Sequence, residues 1–283
     1  MYLIGVRMIL AGLGLLAFWY FREGRKNGFK FGLILQEGAD SSASWVHDIF
    51  GFLKVAFFHV YLAFVPEFWA MQYIDSLKVT LLFSATPFLS ALFSRIILSE
   101  RLSLIKWIAM FVGFCGIIPS LFTNGGISLE AFASVGFVSI PEFVLLISIV
   151  SAAYAWFEVK VLLAKGYHIF LINGVGMFLG GLASTAHHFA VNPFSQILPV
   201  KAVWPFLILV VILILLSNVI FYNLYGFLLH RYTYTFLSFT GFLCPIFGTI
   251  FGITFFGEAF HWLYVLGFAM TFTGLWMFYR MEA

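Results

Sequence analysis

The sequence predicts an all-α integral membrane fold built as an inverted repeat of helical halves, and three observations predict it. First, 63% of the 283 residues are hydrophobic and only 10% are charged, with a mean hydropathy of +1.04, more apolar surface than a soluble core of this size buries. Second, the apolar residues, 38 Phe and 8 Trp among them, recur in blocks of about 20, the length a helix needs to cross a hydrocarbon core about 30 Å thick. Third, one Pro, Glu, Gly pattern occurs twice at a single spacing, in segments that the charge distribution places in opposite orientations.

Nine spanning segments follow from the apolar blocks: Leu3–Phe21, Ile49–Ala70, Val79–Leu98, Leu104–Phe122, Phe143–Ala164, Ile169–Ala186, Val203–Leu224, Thr235–Phe256 and Trp262–Tyr279. The first is read as a retained helix and not a leader, because Arg7 lies inside the apolar run and no small-residue cleavage site follows it. Most connections are short, so successive helices are expected to be antiparallel neighbours. Two links are longer, Arg22–Asp48 and Thr123–Glu142, and the second divides the chain into residues 1–122, a linker 123–142 and residues 143–283. Cys115 and Cys244 fall in separate apolar blocks, which predicts neither a disulfide framework nor a metal motif. A net charge of +3 suggests neither nucleic-acid binding nor capture of acidic substrates.

Lys and Arg set the orientation, since loops on the cytoplasmic side retain them. Placing the first long link inside puts Arg22, Arg25, Lys26, Lys30, Arg101, Lys106, Lys165, Arg231 and Arg280 at cytoplasmic ends and leaves little beyond Lys78 and Lys201 outside. With nine helices the N-terminus is then external and the C-terminus cytoplasmic.

The repeat is carried by Thr86-Pro87-Phe88 with Glu100 downstream, and by Cys244-Pro245-Ile246 with Glu258 at the same separation. An offset of 158 residues superposes Pro87 on Pro245, Glu100 on Glu258, Leu104 on Trp262 and Gly116 on Gly274. In the charge-derived topology Glu100 lies in a cytoplasmic turn and Glu258 in an external one, so the copies are inverted. Such symmetry serves alternating access, because one pattern inserted both ways builds inward-open and outward-open forms of equivalent design. The two prolines are expected to kink their helices and free carbonyls there.

On these residues the chain resembles the EamA type of the drug/metabolite transporter superfamily: Thr86-Pro87 to Glu100-Arg101-Leu102-Ser103, then Lys106-Trp107 and Gly113 to Gly116, and again Cys244-Pro245 to Gly257-Glu258, then Trp262 and Gly267 to Gly274. The resemblance covers essentially the whole chain. It implies ten helices as five plus five with both ends cytoplasmic, whereas this chain shows four plus five. Nothing equivalent to Phe143–Ala164 precedes Leu3–Phe21. Either the protein starts upstream of Met1 or it works without that helix, and the first is the expectation, because otherwise one wall of a symmetric cavity would face lipid.

Ionisable groups within spanning helices cost roughly 2.5–3.5 kcal/mol at the centre and so need a partner, water or a substrate. Arg7, His59, Glu67 and Glu158 are the informative ones, while Lys54, Arg95 and Lys160 lie nearer helix ends, within snorkelling reach of the interface. His59 and Glu67 are eight apart, near one face of a helix that also carries Pro66 and Trp69. Such a stripe suits a cation or proton site, against the alternative that Glu67 sits at the external interface near Gln72 and Asp75. Tyr154 and Glu158 share a face and offer a carboxylate beside a ring, against the alternative of a Glu158 pair with Lys165 or Arg101. Asn173, and Asn218 with Tyr222, complete the candidate substrate residues, against interhelical hydrogen bonding for the asparagines. Glu100 and Glu258, being in turns, read as structural, and the glycines of the fourth and ninth segments as close helix packing.

No H-E-x-x-H, Gly-rich loop with Lys or Gly-x-Ser-x-Gly elbow is present, so transport is expected rather than catalysis, with no cofactor and no metal. An intramembrane enzyme and an assembly protein are the competing classes. The expected partners are a small-molecule substrate and the lipid bilayer, in a multi-pass protein of the bacterial inner membrane, with a homodimer left open. Tyr154, Trp69, Tyr222 and two acids suit a flat aromatic group bearing a positive charge. Among EamA-type proteins the chain is similar in its compact, Phe-rich style to those that import S-adenosylmethionine in obligate intracellular bacteria. That resemblance implies uptake of this compound or its exchange with S-adenosylhomocysteine. Export of amino acids or hydrophobic amines is the alternative within transport.

Overall fold

In the computed structural model the described residues are 2–24, 43–74, 79, 82–97, 102–118, 139–191, 202–257 and 260–282, and all regular structure among them is helical. In chain order the elements are α1 (Tyr2–Trp19), α2 (Ala43–Lys54), α3 (Leu62–Ala70), α4 (Thr86–Ile97), α5 (Leu104–Cys115), α6 (Ile140–Ala164), α7 (Ile169–Val191), α8 (Val203–Leu213), α9 (Tyr222–Leu228), α10 (Tyr234–Phe239), α11 (Cys244–Phe256) and α12 (Trp262–Arg280). Three π-helical segments accompany them among the described residues: Tyr20–Gly24 follows α1, while Val55–Tyr61 and Ile214–Phe221 join α2 to α3 and α8 to α9.

Among the described residues seven runs are long and apolar enough to cross a membrane: Tyr2–Arg22, His47–Ala70, Ile140–Ala164, Ile169–Val191, Val203–Leu228, Tyr234–Phe255 and Trp262–Arg280. The third and fourth of the nine expected spans appear as α4 and α5, of 12 residues each; residues 80–81, 98–101 and 119–138 around them lie outside the described residues. The linker expected to end at Glu142 ends earlier. The Glu142 carboxylate accepts from the Ser139 N–H, one half of a capping box, and α6 already begins at Ile140.

The chain divides into two compact units, each drawing on both sequence halves. Unit 1 takes Met1–Trp69 and Ser151–Arg231, and unit 2 takes Ala70–Val150 and Tyr232–Ala283.

In unit 1, α1 and α7 pack antiparallel along small residues. A Cβ on Gly12 would lie 2.5 Å from the Phe178 nitrogen, one on Gly174 2.9 Å from Leu16, and one on Gly181 2.8 Å from the Ile9 nitrogen, while Gly5 faces Thr185. An offset of 169 carries Gly5, Ile9, Gly12 and Leu16 onto Gly174, Phe178, Gly181 and Thr185. The contacts are therefore reciprocal, which is the mark of a local two-fold axis between inverted copies. The end of α6 is closed by Gly166 at φ 88, with Tyr167 N–H donating to the Leu162 carbonyl at 3.2 Å and Gly166 N–H to Leu163 at 2.9 Å. That turn delivers Lys165 and Tyr167 to the buried Asp48 carboxylate, at 2.6 and 2.7 Å.

Unit 2 repeats the design. A Cβ on Gly116 would lie 2.6 Å from the Gly267 carbonyl oxygen, and one on Gly274 2.6 Å from that of Ala109. Gly116 also faces Thr271, and Gly274 faces Gly113, so these contacts map onto one another at the offset of 158. Neither Pro87 nor Pro245 stands in the middle of a regular helix. Each is the second residue of its helix, α4 or α11, where the missing N–H leaves no bond unmade. Turn residues 84–85 precede α4, and the 3-10 segment Thr240–Leu243 precedes α11. Thr86 and Thr240 hydroxyls donate to the Phe83 and Leu237 carbonyls at 2.6 Å each, occupying acceptors that such a break leaves free. Ser90 pairs with Ser238, and Ser94 with Thr235 at 3.1 Å, stitching α4 to α10 in the buried interior.

Candidate functional site

The π segments Val55–Tyr61 and Ile214–Phe221 each widen a spanning helix by one residue, shown by the Leu62 N–H bonding back to the Phe57 carbonyl and the Tyr222 N–H to that of Ser217. A π segment shifts the phase of every side chain beyond it, and such bulges cluster at functional positions. Here the first carries His59 and the second Asn218, each almost completely buried. Because of the phase shift, the regular α-helical spacing from His59 to Glu67 does not describe how they lie: His59 is 3% exposed, whereas Glu67 is half-buried.

The centre of unit 1 is aromatic. The His59 ring stands edge-on to Trp156 at 4.4 Å and tilted to Tyr222 at 5.0 Å, and Trp156 also meets Tyr222 at 5.6 Å and Tyr225 at 4.2 Å. Arg7, 5% exposed, enters from α1 with its guanidinium carbon 5.2 Å from the centre of the Phe64 ring. Glu67 and Tyr222 lie within electrostatic reach of that guanidinium. Three polar groups at this centre lack hydrogen-bond partners although buried: Nε and Nη2 of Arg7, Nε2 of His59 and Oδ1 of Asn218. Leaving a buried donor or acceptor unsatisfied costs about 1–3 kcal/mol, more for a charged group; Asn173 Oδ1, also in unit 1, is in the same condition.

Of the residues expected to hold substrate, the structure gathers His59 and Tyr222, with Glu67 near them. Trp69 is half-buried near the end of α3. Tyr154 and Glu158 are engaged with one another, and Lys54 donates to Glu158 at 2.9 Å. Among the described residues the partner is thus Lys54, while Lys165 is bound to Asp48; Arg101 lies outside the described residues. Asn173 donates to Asn223 at 3.1 Å, and the Asn218 amide approaches the sulfurs of Met8 at 3.1 Å and Met177 at 3.6 Å. Those two methionines are equivalent at the offset of 169. Glu100 and Glu258 lie outside the described residues.

Trp156 and Tyr225 were not among the sequence candidates, and Arg7 was singled out without a role. For Trp156 the signal lay beside the pair that was chosen: two residues from Tyr154 and two from Glu158, it projects from the other side of α6.

Comparison with known proteins agrees with this architecture. The protein named S-adenosylmethionine/S-adenosylhomocysteine transporter in Chlamydia muridarum (strain MoPn / Nigg) is 28% identical over 263 residues, spanning 92% of this chain and 76% of that one. Proteins of the same name in Chlamydia trachomatis serovar L2 and serovar D are each 28% identical over 92% of this chain and 74% of theirs. A crystal structure of another protein, 15% identical, superposes with a TM-score of 0.70 over 99% of this chain and 88% of that one, a likeness of fold alone. The family model described as the EamA-like transporter family matches residues 1–122 and 139–280, and this multi-pass membrane protein belongs to that family.

Proposed function

We propose that this transporter carries S-adenosylmethionine and exchanges it for S-adenosylhomocysteine by alternating access across a bacterial inner membrane, with its C-terminus cytoplasmic. The observation that carries the substrate is the similarity, over 92% of the chain, to proteins named for that exchange. The centre of unit 1 supports it chemically. Trp156, Tyr222, Tyr225 and His59 offer ring faces and edges to a purine, and Glu67 offers the negative charge that a sulfonium seeks. Asn173, Asn218, Trp69 and the Tyr154–Glu158 pair belong to the same proposed path as polar and aromatic lining. The repeats at residues 1–122 and 143–283 supply the two-fold relation that alternating access uses.

Expression in a bacterial host that does not import S-adenosylmethionine tests the reading. Labelled S-adenosylmethionine is expected to accumulate and to be displaced by excess S-adenosylhomocysteine. Accumulation displaced equally by hydrophobic amines or ordinary amino acids, or no accumulation above the empty host at matched expression, overturns it.

A further inference from the structure

We propose that Arg7 is the receptor for the carboxylate of a zwitterionic α-amino acid group, so that the protein selects ligands by that end as well as by their adenosyl or sulfonium part. The inference rests on the substrate reading above for the rest of the ligand, and on the geometry of unit 1 for the carboxylate.

Arg7 stays charged at any physiological pH and sits 5% exposed within a spanning helix. The Phe64 ring beside it packs, with Phe68, against a buried cluster that includes Ile4, Met8, Ala11, Val60 and Met177. Among the described residues no carboxylate closes on it as an ion pair. The two unpartnered nitrogens are Nε and Nη2. These share one edge of the guanidinium plane, and their N–H bonds run parallel. That edge fits the two oxygens of one carboxylate, the bidentate arrangement in which Arg binds most strongly. The guanidinium carbon lies 5.2 Å from the centre of the Phe64 ring, a contact that leaves the Nε and Nη2 edge buried and without a hydrogen bond.

Glu67 lies close enough to complement the opposite pole of the same group, the ammonium, or the adjoining sulfonium. A ligand that brings both charges neutralises both protein charges at once, which compensates the desolvation that would penalise binding either pole alone. Free amines and nucleosides without the amino acid end leave the arginine edge unsatisfied.

The test uses purified full-length protein in lipid nanodiscs, with S-adenosylmethionine, its decarboxylated form, methionine and 3-(methylthio)propylamine as ligands. The wild type is expected to bind each carboxylate-bearing compound about tenfold to a hundredfold more tightly than its carboxylate-free analogue. Arg7→Gln is expected to abolish that ratio, and Arg7→Lys, which keeps the charge and loses the two-pronged edge, to reduce it. Should Arg7→Gln fail to fold, Arg7→Lys and the wild-type ligand series still decide the matter. A wild type indifferent to the carboxylate overturns the proposal. So does an Arg7→Gln protein that loses affinity for both members of a pair equally, since Arg7 would then merely balance Glu67. If the wild type ignores both adenosyl compounds yet binds methionine in an Arg7-dependent way, the substrate reading fails and the carboxylate assignment stands; if methionine is ignored too, both fall.

Discussion

Three residues of the unit 1 centre, Arg7, His59 and Glu67, are legible in the sequence because an ionisable group in an apolar run has no cheap explanation there. The rings around them are not. Among 38 Phe, 12 Tyr and 8 Trp a given aromatic side chain carries no signal, and only coordinates separate Trp156, packed on His59, from Trp262, which is 69% exposed. The two intramembrane acids, equivalent from sequence, now separate as well. Glu158 holds Lys54 and Tyr154, whereas Glu67 has no such partner and lies near Arg7. Glu67→Gln is expected to lower uptake of the sulfonium substrate at least tenfold while lowering uptake of S-adenosylhomocysteine, which lacks the sulfonium charge, much less. Glu158→Gln is expected to leave that ratio within about twofold and to lower thermal stability instead, because it leaves Lys54 short of a partner. Initial rates for both compounds, beside melting curves in detergent, separate the two; equal losses of both substrates in Glu67→Gln remove its role as a counter-charge.

At the scale of elements, the repeat at offset 158 is visible in the sequence because Pro, Glu and Gly agree at one spacing, and the repeat at offset 169 is not, because an intervening difference in length hides it. Both are written in glycines that let antiparallel helices touch. Gly12→Ala and Gly274→Ala would each press a Cβ against backbone atoms, at 2.5 Å and 2.6 Å, and are expected to destabilise by about 1–3 kcal/mol. Gly14→Ala, with nothing within 4 Å of the new Cβ, is expected to be neutral or to stabilise by up to about 1 kcal/mol through helix propensity. Melting temperatures of the three variants in one detergent check this, and a Gly274→Ala protein as stable as Gly14→Ala contradicts the close packing. The last residues after α12 carry a pH-dependent contact. Burial works against ionisation of Glu282, but bonds from Lys106 at 2.8 Å and from the Thr233 N–H at 2.8 Å outweigh it and hold the carboxyl below its ordinary pKa. A depressed pKa contributes stability above the ordinary carboxylate value that is lost as pH falls through the folded one. Acidification from neutral to below pH 4 is therefore expected to lower the melting temperature of the wild type more than that of Glu282→Gln, and parallel pH profiles contradict the contact.

For the whole molecule, hydropathy and block length are enough to reveal a multi-pass helical protein, since no other solvent tolerates such a composition. The division into compact units is not legible, because each unit is assembled from both sequence halves and a linear reading divides a chain only where its composition changes. Breaks within a span are not legible either: the regular helix α4 begins only at Thr86, after the turn at residues 84–85, inside an apolar block that reads as continuous. Counterflow tests the central claim, exchange by alternating access, most directly. Purified protein is reconstituted into liposomes preloaded with unlabelled S-adenosylhomocysteine, and labelled S-adenosylmethionine is added outside with no ion gradient. The account predicts a transient overshoot of internal label that depends on the preload and disappears in empty vesicles. Label entry at the same rate with or without internal S-adenosylhomocysteine, or entry no faster than into protein-free liposomes, would contradict it.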